Sequence, residues 1–190
     1  MREAECDLRF FAPVLTELRQ AEATLDPSQL GRAARAIASC GHLAVCGAVG
    51  LRFIAELAAL WFERIGITTN AMFGHPSEIP LPAFMDRRAA LLVLSMEGRN
   101  PQTLAIVDAA RERGSTIISV IHAHPSPLSL KSDVTLVCAP PAANGDRVLE
   151  RSRVATVQLA VAEAILEAVV DSKKRDPTEH YASGDKQTGS

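Results

Sequence analysis

Apolar positions along this chain fall into two alternating patterns. Short, almost uninterrupted aliphatic runs occur near 43–46, 67–72, 90–95, 116–121 and 133–138, including Leu43-Ala44-Val45-Cys46 and Ala90-Leu91-Leu92-Val93-Leu94. Runs of this length without polar alternation predict strands covered on both faces, as in a parallel sheet. Between them, helical periodicity predicts helices near 52–65, 101–113 and 148–171, and Gly66 and Gly114 stand where helix C-terminal caps belong. A short helical turn is expected near 80–86. Upstream, Leu8, Phe11, Leu15 and Leu18 mark one face of an N-terminal helix. Asp26-Pro27-Ser28-Gln29 reads as the start of a second, running to about Cys40 and stopping at Gly41. Strands alternating with helices predict a doubly wound α/β domain.

In such a domain, ligands bind outside the carboxyl ends of the strands. Two loops stand there. Gly47-Ala48-Val49-Gly50-Leu51 follows the first strand, and Ser95-Met96-Glu97-Gly98-Arg99-Asn100-Pro101 follows the third. Each opens a helix, whose free N–H groups and positive dipole end favour anions. Asn100-Pro101 fits an N-cap followed by a first helical position.

Composition narrows the picture. A formal net charge of −2 over 190 residues gives no general attraction to nucleic acid or anionic lipid. No apolar run reaches the ~18 residues of a membrane span. The start, Met1-Arg2-Glu3-Ala4-Glu5, is too acidic for a signal peptide. Cys6, Cys40, Cys46 and Cys138 form no C-x-x-C pair, so they read as reduced structural thiols and the expected location is cytoplasmic. Phosphate-loop, dinucleotide and nucleophile-elbow motifs are missing. The polar stretch from Lys173 to Ser190 is expected to be a disordered tail.

The order of the pieces resembles the SIS (sugar isomerase) domain, in particular the C-terminal effector domain of RpiR-type transcriptional regulators, over about residues 5–172. Leu43 to Gly50 is similar to the family's first strand and Gly-rich turn, and Leu60-Trp61-Phe62-Glu63-Arg64-Ile65-Gly66 to the helix end closing that unit. Leu94 to Asn100 is similar to its S-x-S-G-x-T loop. Ile117 to Ile121, Ser126-Pro127-Leu128 and Ser132-Asp133-Val134 are similar to its "T…SPL…SD" segment. The resemblance implies a single SIS domain over 1–172: a five-stranded parallel sheet of flavodoxin-like order 2-1-3-4-5, with N-terminal helices and a long C-terminal helix. It also implies a sugar or sugar-phosphate ligand in the crevice between the first and third strands, no cofactor, no metal, and a homodimer or tetramer. The expected ligand-binding residues are Gly47, Gly50, Leu51, Arg52, Ser95, Glu97, Gly98, Arg99 and Asn100.

The chain departs from the family at both loops. Val49 and Leu51 occupy the third and fifth positions of the G-x-G-x-S turn. In the second loop only Ser95 keeps its hydroxyl, with Glu97 and Asn100 in the other two places. A carboxylate ~4 Å from a phosphate charge costs roughly 4 kcal/mol at an effective dielectric near 20, about a thousandfold in affinity. Arg52 and Arg99 are available to offset it. Glu97 reads either as an acceptor for ligand hydroxyls or an amine, or as a solvated residue paired with Arg99 or Arg52.

Other candidates are weaker. His122 and His124 form an H-x-H pair lacking a third zinc ligand. They read as polar loop residues near the crevice, with proton transfer by His122 as the lesser alternative. His75 reads as a loop residue after the second strand. Glu150 lies near where related isomerases carry an acid, in surroundings that match theirs poorly. The expected function is therefore a regulatory sugar-binding domain, with a stand-alone phosphosugar isomerase as the alternative. Residues 1–40 hold five Arg against six Asp or Glu, so a basic DNA-reading helix is not expected there and neither is direct contact with nucleic acid.

Overall fold

A computed structural model describes residues 11–79, 81–138 and 146–175. The elements are α1 (Ala12–Thr24), α2 (Pro27–Ser39), β1 (His42–Gly47), α3 (Arg52–Arg64), β2 (Thr69–Met72), β3 (Ala89–Leu94), α4 (Pro101–Glu112), β4 (Thr116–Ile121), β5 (Val134–Val137) and α5 (Arg147–Arg175). The five strands form one parallel sheet of order β2-β1-β3-β4-β5, as the aliphatic runs and the resemblance implied.

Central and edge strands differ as burial requires. All six residues of β3 are buried, whereas in β2 Asn70 is exposed and in β5 Thr135 and Val137 are half-buried. Successive residues point to opposite faces. Leu43, Val45, Leu92, Leu94, Ile118 and Val120 join a core with α2, α3 and α5, while Ala44, Cys46, Leu91, Val93, Ile117 and Ile121 join a second core with α4, Leu81 and Met85. Fully burying each larger aliphatic side chain contributes about 1.5–3 kcal/mol, so both faces need their helices.

The helix starts follow their sequence signals. Asp26 accepts a hydrogen bond from Ser28 N at 2.8 Å, and Asn100 Oδ1 accepts from Gln102 N at 2.9 Å and Thr103 N at 3.1 Å. Such caps contribute about 1 kcal/mol each.

Some expectations are corrected. β2 begins at Thr69 rather than 67, because Ile67 N is still bonded back to Phe62 O in the turn after α3. The short helical turn expected near 80–86 is a single hydrogen-bonded turn, closed by Met85 N donating to Pro82 O, and Pro80 lies outside the described residues. α1 buries Glu17 and Ala21, with Leu18 half-buried beside them, and leaves Phe11 and Leu15 exposed. The inward side of α1 is held by a buried ion pair that joins Glu17 to Arg153 of α5 at 3.2 Å; Leu8 lies outside the described residues. α5 continues through Lys173 and Lys174 to Arg175, past the expected start of the tail, since Lys173 Nζ caps the Ile65 carbonyl at 3.2 Å. The rest of the tail, 176–190, lies outside the described residues.

Candidate functional site at the β1 and β3 loops

Register decides where the two loops meet. Cys46 pairs with Val93 and Gly47 with Leu94, so β1 and β3 end level and their loops open side by side at the topological switch point. Each loop has a glycine the backbone requires. A side chain on Gly47 would run into the Leu51 carbonyl, and Gly98, at φ +65°, has Ser126 Oγ and Leu128 Cβ where a Cβ would go. These contacts press the β3 loop onto the segment after β4. Met96 O accepts from His122 N, and Gly98 O from Leu128 N, both at 3.0 Å. Within the loop, Ser95 Oγ accepts from Gly98 N at 3.0 Å.

Between the loops lies a cleft of about 400 Å³. It is lined from the first loop by Ala48, Gly50 and Leu51, from the second by Leu94 through Asn100, and from α5 by Arg151 and Val154. Its apolar part comes from Leu51, Leu94, Met96 and Val154. Glu97, Arg99 and Arg151 bring its charge, and among the described residues none of the three makes an ion pair. An apolar floor with a few polar groups is the usual make-up of a small-molecule site.

Seven of the nine residues expected at the site line this cleft: Gly50, Leu51, Ser95, Glu97, Gly98, Arg99 and Asn100. Gly47 stands behind it as the hinge of the turn. Arg52 is exposed and lies over its neighbours instead, its guanidinium 4.6 Å from the Phe53 ring centre and 5.8 Å from that of Phe73. Glu150, in the first turn of α5, is not among the lining residues. His122 is buried behind Met96. His124 is exposed and borders a different cleft, of about 380 Å³, beside Asp26, Arg32 and Thr135, so the H-x-H pair diverges. His75 sits in the loop after β2, its Nδ1 2.7 Å from Ser77 Oγ, while the Glu78 carboxylate accepts from Phe73 N and His75 N. Among the described residues no three His, Cys, Asp or Glu side chains are grouped to hold a metal, and no helix is long and apolar enough to cross a membrane.

Two residues of α5 were missed from sequence. Arg151 enters the cleft only because α5 packs across it. Gln158 left a legible signal: it interrupts the buried stripe Val154, Val157, Val161, Ala162, Ile165. Fully buried, it donates from Nε2 to Ser95 O at 2.8 Å and to Val120 O at 3.4 Å, tying α5 to the cleft loop.

A family model for the SIS domain matches residues 36–168, which spans both loops and the whole sheet. The chain belongs to the SIS domain family. Among curated proteins, a glutamine–fructose-6-phosphate aminotransferase (isomerizing) of Gluconobacter oxydans is 28% identical over 128 residues, covering 67% of this chain and 19% of that protein. This SIS chain thus spans about a fifth of the length of that relative. Among solved structures, the SIS fold recurs in the Vibrio vulnificus NanR protein complexed with ManNAc-6P, with a TM-score of 0.72, 17% identity, and coverage of 86% of this chain and 61% of that one. It recurs also in the sugar isomerase domain of an RpiR transcription factor from Sphaerobacter thermophilus, with a TM-score of 0.66, 18% identity, and coverage of 88% and 97%.

Proposed function

We propose that this SIS domain binds a sugar or sugar phosphate in the cleft between the β1 and β3 loops and serves as the effector module of an RpiR-type regulator. The carrying observation is the cleft itself: about 400 Å³ at the switch point, with both loops and α5 contributing. Its apolar floor suits the C–H face of a sugar ring, and its charged side chains suit polar substituents. The ligand of the NanR complex, ManNAc-6P, and the RpiR neighbour support the same reading.

A regulatory role is favoured over catalysis because the candidate bases read from the sequence, Glu150 and His122, are not among the residues lining the cleft. Aldose–ketose isomerisation needs a base poised to move a proton between adjacent carbons. The lining ionisable groups are Glu97, Arg99 and Arg151, while Glu150, His122 and His75 lie elsewhere. Glu97 keeps a second reading open, since a carboxylate facing the ligand is the group an isomerase would use.

A thermal-shift screen of sugars, amino sugars and their phosphates tests binding. A ligand at 100 times its Kd stabilises by about 2.7 kcal/mol, a rise of roughly 5–10 °C for a domain of this size. No shift with any compound would refute the binding reading. Turnover of a bound aldose phosphate to its ketose, followed by NMR, would replace the regulatory reading with the enzymatic one.

A further inference from the structure

Glu97, Arg99 and Arg151 line one cleft from two elements and make no ion pair among the described residues. Two guanidinium groups against one carboxylate leave the lining at a net +1. A cleft lined by cations alone would take any anion. One that also sets a carboxylate among them disfavours a plain anion and gains from a ligand that offers a cation to Glu97. The other polar groups do less to discriminate. Asn100 Oδ1 is occupied by Gln102 N and Thr103 N, and Ser95 Oγ already accepts from Gly98 N.

A phosphate ester carries about −1.5 to −2 near neutral pH, and a protonated amine carries +1. A ligand with both has a net charge near −1, complementary to the lining. We infer that Glu97 selects for a ligand bearing an amine as well as an anionic group, and that Arg151 of α5 is the anion's contact, so that the cleft prefers amino-sugar phosphates to plain sugar phosphates. This inference rests on the reading of the cleft as a carbohydrate-derivative site.

Arg151 supplies a fork of donors matched to a phosphate. Arg99 adds a second cation from the loop. Glu97 is acceptor-only when ionised and so pairs with an ammonium group or hydroxyls. All three side chains are exposed, so substitutions there leave the core intact.

The test is titration calorimetry of the whole chain with glucosamine 6-phosphate, glucose 6-phosphate and glucosamine, using wild type, Glu97→Gln and Arg151→Gln, with melting temperature confirming that each variant is folded. Wild type should bind glucosamine 6-phosphate at least tenfold more tightly than glucose 6-phosphate. Glu97→Gln should abolish that ratio, chiefly by tightening glucose 6-phosphate about tenfold. Arg151→Gln should weaken both phosphates tenfold or more while leaving glucosamine unchanged. Equal binding of the two phosphates by wild type, a ratio that survives Glu97→Gln, or an Arg151→Gln loss shared equally by glucosamine would each overturn the inference. If wild type binds none of the three, the inference fails while the broader reading stands or falls on the thermal-shift screen above.

Discussion

Gln158 offers the sharpest test of how α5 holds the cleft loop. Its Nε2 faces the Ser95 and Val120 carbonyls, while its Oε1 is buried with no hydrogen-bond partner among the described residues. Val120 O keeps a partner without Gln158, because it also accepts from Ser95 N at 3.0 Å, whereas Ser95 O has no other partner among the described residues. Gln158→Leu therefore orphans one carbonyl, a cost of about 1–3 kcal/mol, but also removes an orphaned amide oxygen whose penalty is of the same order. The two nearly cancel, and the variant should stay within about 1 kcal/mol of wild type. Gln158→Glu has almost the same shape and the opposite result. It sets an ionised carboxylate against two carbonyl oxygens in the core, with no cation in the surrounding hydrogen-bond set, at a cost of about 3–5 kcal/mol. At roughly 2–4 °C per kcal/mol, melting should fall by about 6–20 °C at pH 7.5. The deficit should shrink toward pH 4–5. Burial raises the introduced carboxyl above its unfolded value of ~4.3, so the destabilisation grows as pH rises past that value and fades below it. Scanning calorimetry of both variants across pH measures this. Equal melting of the two at pH 7.5, within about 2 °C, would show that the amide donates nothing to the loop and would refute the reasoning.

Other outcomes follow from the same geometry. Arg153→Met strands buried Glu17 and should cost about 3–5 kcal/mol, whereas Glu17→Leu with Arg153→Met should come within about 1 kcal/mol of wild type in urea unfolding; a single variant as stable as the double would show the pair to be solvent-screened. Gly98→Ala combines a φ of +65° with a collision at Ser126 and Leu128, so it should cost at least 1–2 kcal/mol and lower ligand affinity together with stability. Burial pushes the Cys46 and Cys138 thiols up to about 12, so at pH 8 iodoacetamide should leave both unmodified in the folded protein, as peptide mass spectrometry can show. Because unfolding releases those protons above the ordinary thiol range near ~8.5, stability should decline as pH rises past 9. The exposed Phe11 and Leu15 on α1 support the expectation of a homodimer, and sedimentation at micromolar concentration should show one; Phe11→Glu with Leu15→Glu should weaken it, and a clean 20.3 kDa monomer in wild type would refute it.

Much of this protein was legible along the chain because its determinants are local. Short, mostly aliphatic runs fit strands covered on both faces, and their alternation with helices near 52–65 and 101–113 implies a parallel, doubly wound sheet. The Asp26 and Asn100 caps and the positive-φ glycines Gly66, Gly98 and Gly114 act within a few residues of themselves, and so their roles could be read from their neighbours. The pairing of the two cleft loops came from the family resemblance, which implied the strand order and hence the switch point between the first and third strands. What the chain does not display is which side chains distant in sequence come to face one another. Arg52 reads as an anion contact and instead lies over Phe53 and Phe73. Arg151, more than fifty residues beyond Glu97, becomes its neighbour in the cleft lining only through the path of α5. His122 and His124, two apart, part company: His122 is buried behind Met96, while His124 is exposed at the cleft beside Asp26 and Arg32. Glu17 carries no local signal for burial, and only the packing of α5 lays Arg153 against it. Long-range packing sets these relationships, and it selects among rotations and registers that local propensity leaves nearly equal in energy.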